Sequence, residues 1–589
     1  MNYDYFVIAG YFLLVVGIGI VFKKLAKHST SDYFRGGGRM LWWMVGSAAF
    51  MAQFSAWTFT GAAGKAFNDG FAISLVFFGN TFAYLCGWAY FSHRFRQMRV
   101  DTPTEGIKRR FGKHNELFYS WAIIVFSIIN AGVWLNALGV FTSAFFEADI
   151  SLTIMATGLT VLFVSVISGA WGVVASDFMQ TLIVAIVAVA CAIVALVEVG
   201  GPVELVTGFP SGFVMGPNMN YGLILFCTFV FFLAKQLVTV MNLNDSYRFL
   251  TAKDTDNARK AALLAAVLMG VGSIVFFIPP WATAILYPDA TAAYSELGGK
   301  ATDSVYLTFT QKFMPVGTVG LLVAGLFAAT MSSMDSALNK TAGIFVRSVY
   351  QPFMTRLKRK TDDKSQLRVG RLVSFVNGIL VIFVAQYFMS LQDLSLFDLM
   401  MSVTTMIQMP LLIPLMLGMI IKKTPSWAPW VTVGLGLSVS WLVANVFTAD
   451  VFAAWIGIED LTRREASELN VILTIAAHVF ITAAFFCATT FLYREERDQH
   501  REETERFFVD LETPVVSDEE QSEFDREQRS KLGIMVIIMG SAMLLMTLIP
   551  NPLWGRLLFV LCALTILFIG ASLKKSAGQS TRSVVADAH

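Results

Sequence analysis

Charge is what this sequence has least of. Only 15% of its 589 residues are Asp, Glu, Lys or Arg, whereas 56% are hydrophobic, and the mean hydropathy is +0.62. Soluble domains carry about 25% charged residues, so a water-soluble enzyme or regulatory domain is excluded as the main body. Cysteine is scarce too. All five (Cys86, Cys191, Cys227, Cys487, Cys562) lie in apolar stretches, which leaves neither a disulfide framework nor a metal-ligand spacing. Of six histidines only His478 falls in an apolar span, where a lone imidazole reads as structural. No glycine-rich phosphate loop, kinase or ATPase signature or nucleophile triad is present. That argues against an ATP-driven pump and gives no ground for expecting an enzyme. The net charge of +2 suggests no nucleic-acid partner.

What the sequence has in quantity is apolar runs of about 20 residues, the length that crosses a roughly 30 Å hydrocarbon core. Fifteen such segments are expected near 4–23, 41–63, 70–92, 117–147, 151–170, 174–198, 223–244, 261–287, 314–346, 372–390, 396–421, 427–447, 467–493, 533–550 and 554–573. The first lacks the basic start and cleavage site of a signal peptide. This is the pattern of an all-α, multi-pass protein of the cell membrane. With the N-terminus outside and the C-terminus cytoplasmic, the cytoplasmic loops hold 36 of the 44 Lys and Arg residues. The opposite loops hold six (Lys65, Lys300, Lys312, Arg463, Arg464, Arg556), and two more (Lys235, Lys340) lie within helices. The positive-inside rule therefore selects that orientation.

Several spans are interrupted by polar or small residues. AQFSAWTFTGAAG breaks the second, and AKQLVTVMNLND puts Lys235, Gln236, Asn242 and Asn244 into the seventh. Non-helical backbone at membrane depth survives only where it lines a cavity or is buried in protein. Interrupted helices opening two blocks, at 41–198 and 223–421, suggest inverted repeats. Around them lie an N-terminal helix and loop (1–40), accessory helices (427–493) and a further hairpin with a tail (533–589). Between the last two, 494–532 holds fourteen acidic and seven basic residues and reads as a solvated cytoplasmic linker.

The stretch AATMSSMDSALN (328–339) sets three serines and an aspartate inside an apolar helix. At 100° per residue Ser332, Ser333, Asp335, Ser336 and Asn339 share one arc of about 160°, with Met331, Met334, Ala337 and Leu338 opposite. A serine seam between packed helices accounts for the hydroxyls. It does not account for Asp335, whose insertion costs about 2.5–3.5 kcal/mol. A hard cation, which takes hydroxyl, carbonyl and carboxylate oxygens, accounts for both. Asp177, in GAWGVVASDFMQ, is a second intramembrane acid.

These motifs, with DYFRGGGRMLWWMVG (32–46), FSAWTFTGAAGKAF (54–67), YRFLTAKD (247–254) and GLFAATMSSMDSALNKTAGIFVRSVY (325–350), resemble the sodium/solute symporter family over residues 1–425. That family includes the sodium–glucose and sodium–proline cotransporters. The resemblance implies a leucine-transporter-like fold of two five-helix inverted repeats, with one extra N-terminal helix and about four extra C-terminal ones. It implies Na⁺ as coupling ion, one or two per cycle. By position, the family's common sodium site becomes the carbonyls of Met51, Phe54 and Ala329 with the hydroxyls of Ser332 and Ser333. A second cation site, present in some members, would use Asp177, Asp335 and Ser336. The carboxylate at 335 replaces a hydroxyl, so it could bind Na⁺ or hold a proton. For the solute, Gln53, Trp57, Asn242 and Gln408 fall at family-like positions. Lys235 could pair with a substrate carboxylate, snorkel, or pair with an acid. The acid and lysine of the sugar-binding member have no counterparts near Phe77 or Phe276, which argues against galactose-like recognition. The expected function is Na⁺-coupled import of a small polar organic solute by alternating access. The rival is a transporter-like sensor signalling through 494–532.

Overall fold

The computed structural model describes residues 3–22, 38–210, 212–391, 395–458, 460–494, 499–516 and 521–586. Within these it does not describe the side chains of 15–16, 18–22, 164–173, 293, 295–296, 299, 499, 521–524 and 578–586. Most of the basic loop after the first span, and with it the start of DYFRGGGRMLWWMVG, lies outside the described residues.

Among the described residues the chain is helical throughout, without a named strand. Twelve of the described helices are long and apolar enough to cross a membrane. The other expected segments meet shorter apolar helices at Tyr3–Leu14, Trp42–Ala52 and Ile150–Phe163. The helix α1 (Tyr3–Phe22) precedes the first interruption. There the chain forms α2 (Trp42–Ala52), a gap, α3 (Ala56–Phe59) and α4 (Gly61–Asp69). One helix, α5 (Ile150–Val199), carries the segments expected at 151–170 and 174–198. The second interruption follows α6 (Gly222–Val240), with non-helical residues up to the short α7 (Tyr247–Leu250).

At the centre stands α8 (Thr318–Ile344), buried along nearly its whole length. Its Gly, Ala, Ser and Thr content makes that possible, because small side chains let neighbouring backbones approach closely. It packs against α1, α5 and the broken α2–α3 segment. Glycine is required at one such approach: a Cβ on Gly61 would lie 2.8 Å from the Phe397 amide nitrogen. That contact seats α4 on α9 (Leu396–Val403).

The polar linker differs from a freely solvated chain. Residues Gln499–Glu512 form α10, with Phe507, Phe508 and Leu511 buried. Asp510 pairs with Arg109 at 2.6 Å and Arg99 at 3.2 Å. Lys253 meets Asp525 at 2.6 Å, the Thr255 amide donates to the Val515 carbonyl, and Thr255 Oγ1 accepts from the Val515 amide. A charged composition conceals this docking because three apolar residues, spaced i, i+1 and i+4, suffice to anchor one helical turn. Beyond it, α11 (Gln521–Leu545) and α12 (Leu553–Ala586) pack as a hairpin, with Gly533 against Gly570.

Candidate functional site

Where the first core helix breaks, its backbone groups need partners. Gln53, Phe54 and Ser55 separate α2 from α3, and Ser55, in an extended conformation, caps α3 by accepting from the Trp57 amide at 3.3 Å. The helix α8 supplies the rest. Thr330 Oγ1 accepts from the Ala56 amide at 3.2 Å, and Ser333 Oγ donates toward the carbonyls of Phe54 (3.1 Å) and Met51 (3.3 Å). Thr330 and Ser333, three apart on one helix face, thus address both polarities of the gap.

The expected common sodium site is brought together here in part. The Met51 and Phe54 carbonyls and the Ser333 hydroxyl converge, with no charged side chain among them. Ser332 is fully buried, with Asp177 beside it. Ala329 lies one turn above Ser333 on the same buried helix. Carbonyls and hydroxyls without nitrogen or sulfur suit a hard monovalent cation.

A second polar cluster lies toward the other side of the same face. Arg248, in α7, donates from Nη1 to Asp177 Oδ2 at 2.6 Å and from Nη2 to the Ser336 hydroxyl. Asp335 is buried with Asp177 and Arg248 as its electrostatic neighbours. Sequence reasoning grouped Asp177, Asp335 and Ser336 but missed the guanidinium among them. The signal was available: Arg248 is a full charge at the foot of an interrupted helix, in need of a counter-ion.

Beside both clusters is a central cavity of ≈ 150 Å³. Gln53, Trp57, Lys235 and Gln408 line it, together with Gln236 of the second interrupted span and with Asn80 and Asn130, which the motifs did not single out. Asn242 does not line it. Its Nδ2 donates to the Val238 and Thr239 carbonyls and to Asp245, and its Oδ1 accepts from the Asn244 and Asp245 amides. Its amide is used up in closing the second helix break, which spacing from Arg248 could not reveal.

At one end the cavity is capped by aromatic side chains. Trp57 stacks with Phe77 (6.3 Å) and Phe397 (5.9 Å), and its Nε1 donates to the Leu396 carbonyl at 3.1 Å. Beyond lies a vestibule of ≈ 650 Å³, and Met401 lines both spaces. Lys65, Asp69, Arg464 and Glu468 form an ionic network in that vestibule, with Arg464 3.3 Å from Asp69 and 3.2 Å from Glu468. At its other end the cavity reaches Asp245 and Lys340, 3.9 Å apart and partly exposed. An aromatic cluster at one end and an ion pair at the other thus flank one polar chamber.

A model of the sodium:solute symporter family matches residues 33–427, about two thirds of the sequence. The chain belongs to that family. Among its curated relatives is a sodium/sialic acid symporter of Aliivibrio fischeri, 23% identical over 71% of this chain and 83% of the relative. Another is a sodium/glucose cotransporter of Vibrio parahaemolyticus, 26% identical over 72% and 81%. A human sodium/myo-inositol cotransporter is 26% identical over 65% of this chain and 58% of its own length. Among solved structures, a Na⁺-coupled sialic acid symporter in a substrate-bound outward-open state superposes with a TM-score of 0.62. It is 22% identical and covers 83% of this chain and 98% of its own, a likeness in fold.

This symporter therefore works with sodium as its coupling ion, in keeping with the family. Its relatives are transporters, and the sensor alternative gains no support among them. A multi-pass membrane protein carrying a sodium-coupled solute is the level at which family and fold agree.

Proposed function

We propose that this symporter imports a small polar organic solute together with Na⁺ by alternating access, with the N-terminus outside and the C-terminus cytoplasmic. The observation that carries the reading is the meeting of the Ser333 hydroxyl with the Met51 and Phe54 carbonyls at a helix break that also borders the cavity. Sodium held there, with Ala329 and Ser332 as further ligands, ties α8 to the broken first helix. In doing so it fixes Gln53 and Trp57 on the solute side. Gln408 and Lys235 complete the solute site. Each charge carried inward gains about 2.3 kcal/mol per 100 mV of membrane potential.

The alternation follows from the two gates. Trp57, Phe77 and Phe397 close the vestibule end and must part to admit solute, while the Lys340–Asp245 contact and the Arg248 cluster must rearrange to release it. Rocking of the 41–198 and 223–421 repeats about the fixed site would alternate them. A second positive charge, Na⁺ or a proton, is favoured by a specific count. With both acids ionised, Asp177, Asp335 and Arg248 sum to −1 in a buried setting, and one more cation would neutralise them.

The test is accumulation of labelled solutes in proteoliposomes under an imposed inward Na⁺ gradient. Accumulation above equilibrium that collapses when the gradient is dissipated is expected. Equal uptake with and without sodium for every solute tried would refute symport.

A further inference from the structure

Lys235 is the cavity's unexplained charge. It sits on α6, 1% exposed, so its ammonium does not reach water at the membrane surface. Its Nζ lies 3.4 Å from the Met401 sulfur and 5.0 Å from the centre of the Phe232 ring. A thioether is a weak acceptor and a ring face a partial counter-charge. Neither replaces an anion. Among the described residues no carboxylate comes within 4.0 Å of Lys235, whereas the other charges that line the cavity are matched: Lys340 with Asp245, and Arg248 with Asp177. Of the three roles open to this lysine, surface snorkelling and pairing with a protein acid are thus both absent.

We infer that the solute is a small organic monocarboxylate whose carboxylate seats against Lys235. The inference rests on the symport reading and names the substrate class of that same site. A buried ammonium without a partner is costly, and a partner that arrives with the solute makes its binding strong and selective. The class is narrowed by what the chamber lacks. A dicarboxylate would bring a second anion with no unmatched cation to receive it. An amino acid would bring an ammonium group, and the acid that lines the cavity, Asp245, is already matched by Lys340. A neutral sugar would leave Lys235 as it is. The remaining polar lining, amides of Gln53, Asn80, Gln236 and Gln408, suits hydroxyl groups, and Trp57 and Phe77 suit a short apolar edge. The volume of ≈ 150 Å³ suits a solute of a few carbons.

The test is thermal unfolding of the purified full-length protein in NaCl and in choline chloride. The probes are lactate, glycerate and 3-hydroxybutyrate, the matched neutral amides lactamide and glyceramide, the amino acids alanine and serine, and galactose. The expected result is sodium-dependent stabilisation by at least one monocarboxylate and none by its amide. Lys235→Gln should weaken that binding at least tenfold, and Lys235→Arg, which keeps the charge, should retain most of it. The melting transition of each variant in NaCl alone reports its folding. Stabilisation by amide, amino acid or sugar equal to that by the acids, undiminished carboxylate binding in Lys235→Gln, or no response to any monocarboxylate would overturn the inference. Sodium-driven accumulation of a neutral solute would overturn it while leaving symport intact, and sodium-independent handling of every probe would overturn both.

Discussion

Two polar clusters lie on one face of α8, and they differ in who supplies the positive charge. Around Ser333 the protein offers only carbonyl and hydroxyl oxygens, from Met51, Phe54 and Ser333 itself. Around Asp335 it offers acids and a base of its own, with Arg248 already bonded to Asp177 and Ser336. The first cluster is neutral and needs an ion from solution to be fully used. The second is held together by the protein's own charges, and only the proposed second cation would add to it. On the proposed function, the exchanging sodium belongs in the first, and the second serves as an internal latch.

The largest effect that sharpens this contrast comes from removing the latch. Arg248→Gln leaves Asp177, which is 0% exposed, as an uncompensated buried charge. Breaking one partner of such a pair costs about 3–5 kcal/mol, so the unfolding midpoint of the purified protein should drop sharply. The double variant Asp177→Asn/Arg248→Gln should recover most of the loss. A single variant as stable as wild type would mean that the pair contributes nothing to the fold.

Next comes the charge that the second cluster lacks. Asp335→Asn keeps the volume and one oxygen but removes a negative charge, and with it the proposed hold on a second cation. The charge-to-solute ratio, read from reversal potentials in proteoliposomes, should fall for Asp335→Asn relative to wild type. An identical ratio and sodium Hill slope would make Asp335 a structural residue.

A smaller effect concerns the vestibule end, where Asp303, 1% exposed, accepts weakly from the Leu396 amide at 3.4 Å. Burial pushes its carboxyl up to about 8, with the Leu396 amide and Lys300 pulling the other way. A hydrated carboxyl titrates near 4. The folded, closed arrangement therefore holds a proton that the unfolded chain releases, and its stability falls as pH rises from about 4 toward 8. Melting temperature should decline over that window in wild type and less steeply in Asp303→Asn. The smallest change is expected for Asp510→Asn in the docked linker. Its pairs with Arg99 and Arg109 are partly exposed, and such pairs contribute about 0.2–1 kcal/mol each.

The contrast also shows what could be read from the chain alone. Serines and an acid inside an apolar helix are costly wherever they sit, so AATMSSMDSALN announced a site without any neighbour being known. The break at Gln53–Ser55 was legible for the same reason: FSAWTFTG cannot be a comfortable membrane helix. Pairings between distant residues were not legible. Arg248 and Asp177 are 71 positions apart, and nothing local marks them as partners. Asn242 matched a family position, yet its bonds are set by the loop geometry of the second break. The docking of the linker is hidden because composition averages over a helix, whereas Phe507, Phe508 and Leu511 act on one side of it.

The central claim is that sodium sits where α8 meets the broken first helix, and the serine pair tests it most directly. Purified wild-type protein is melted across a NaCl series at constant ionic strength, with choline as the replacement, beside Ser332→Ala/Ser333→Ala. Ligand binding to the folded state raises stability with concentration, so the wild-type midpoint should climb with sodium. The double variant should need at least tenfold more sodium for the same rise, about 1.4 kcal/mol of binding energy. An unchanged sodium dependence in a well-folded double variant would contradict the site.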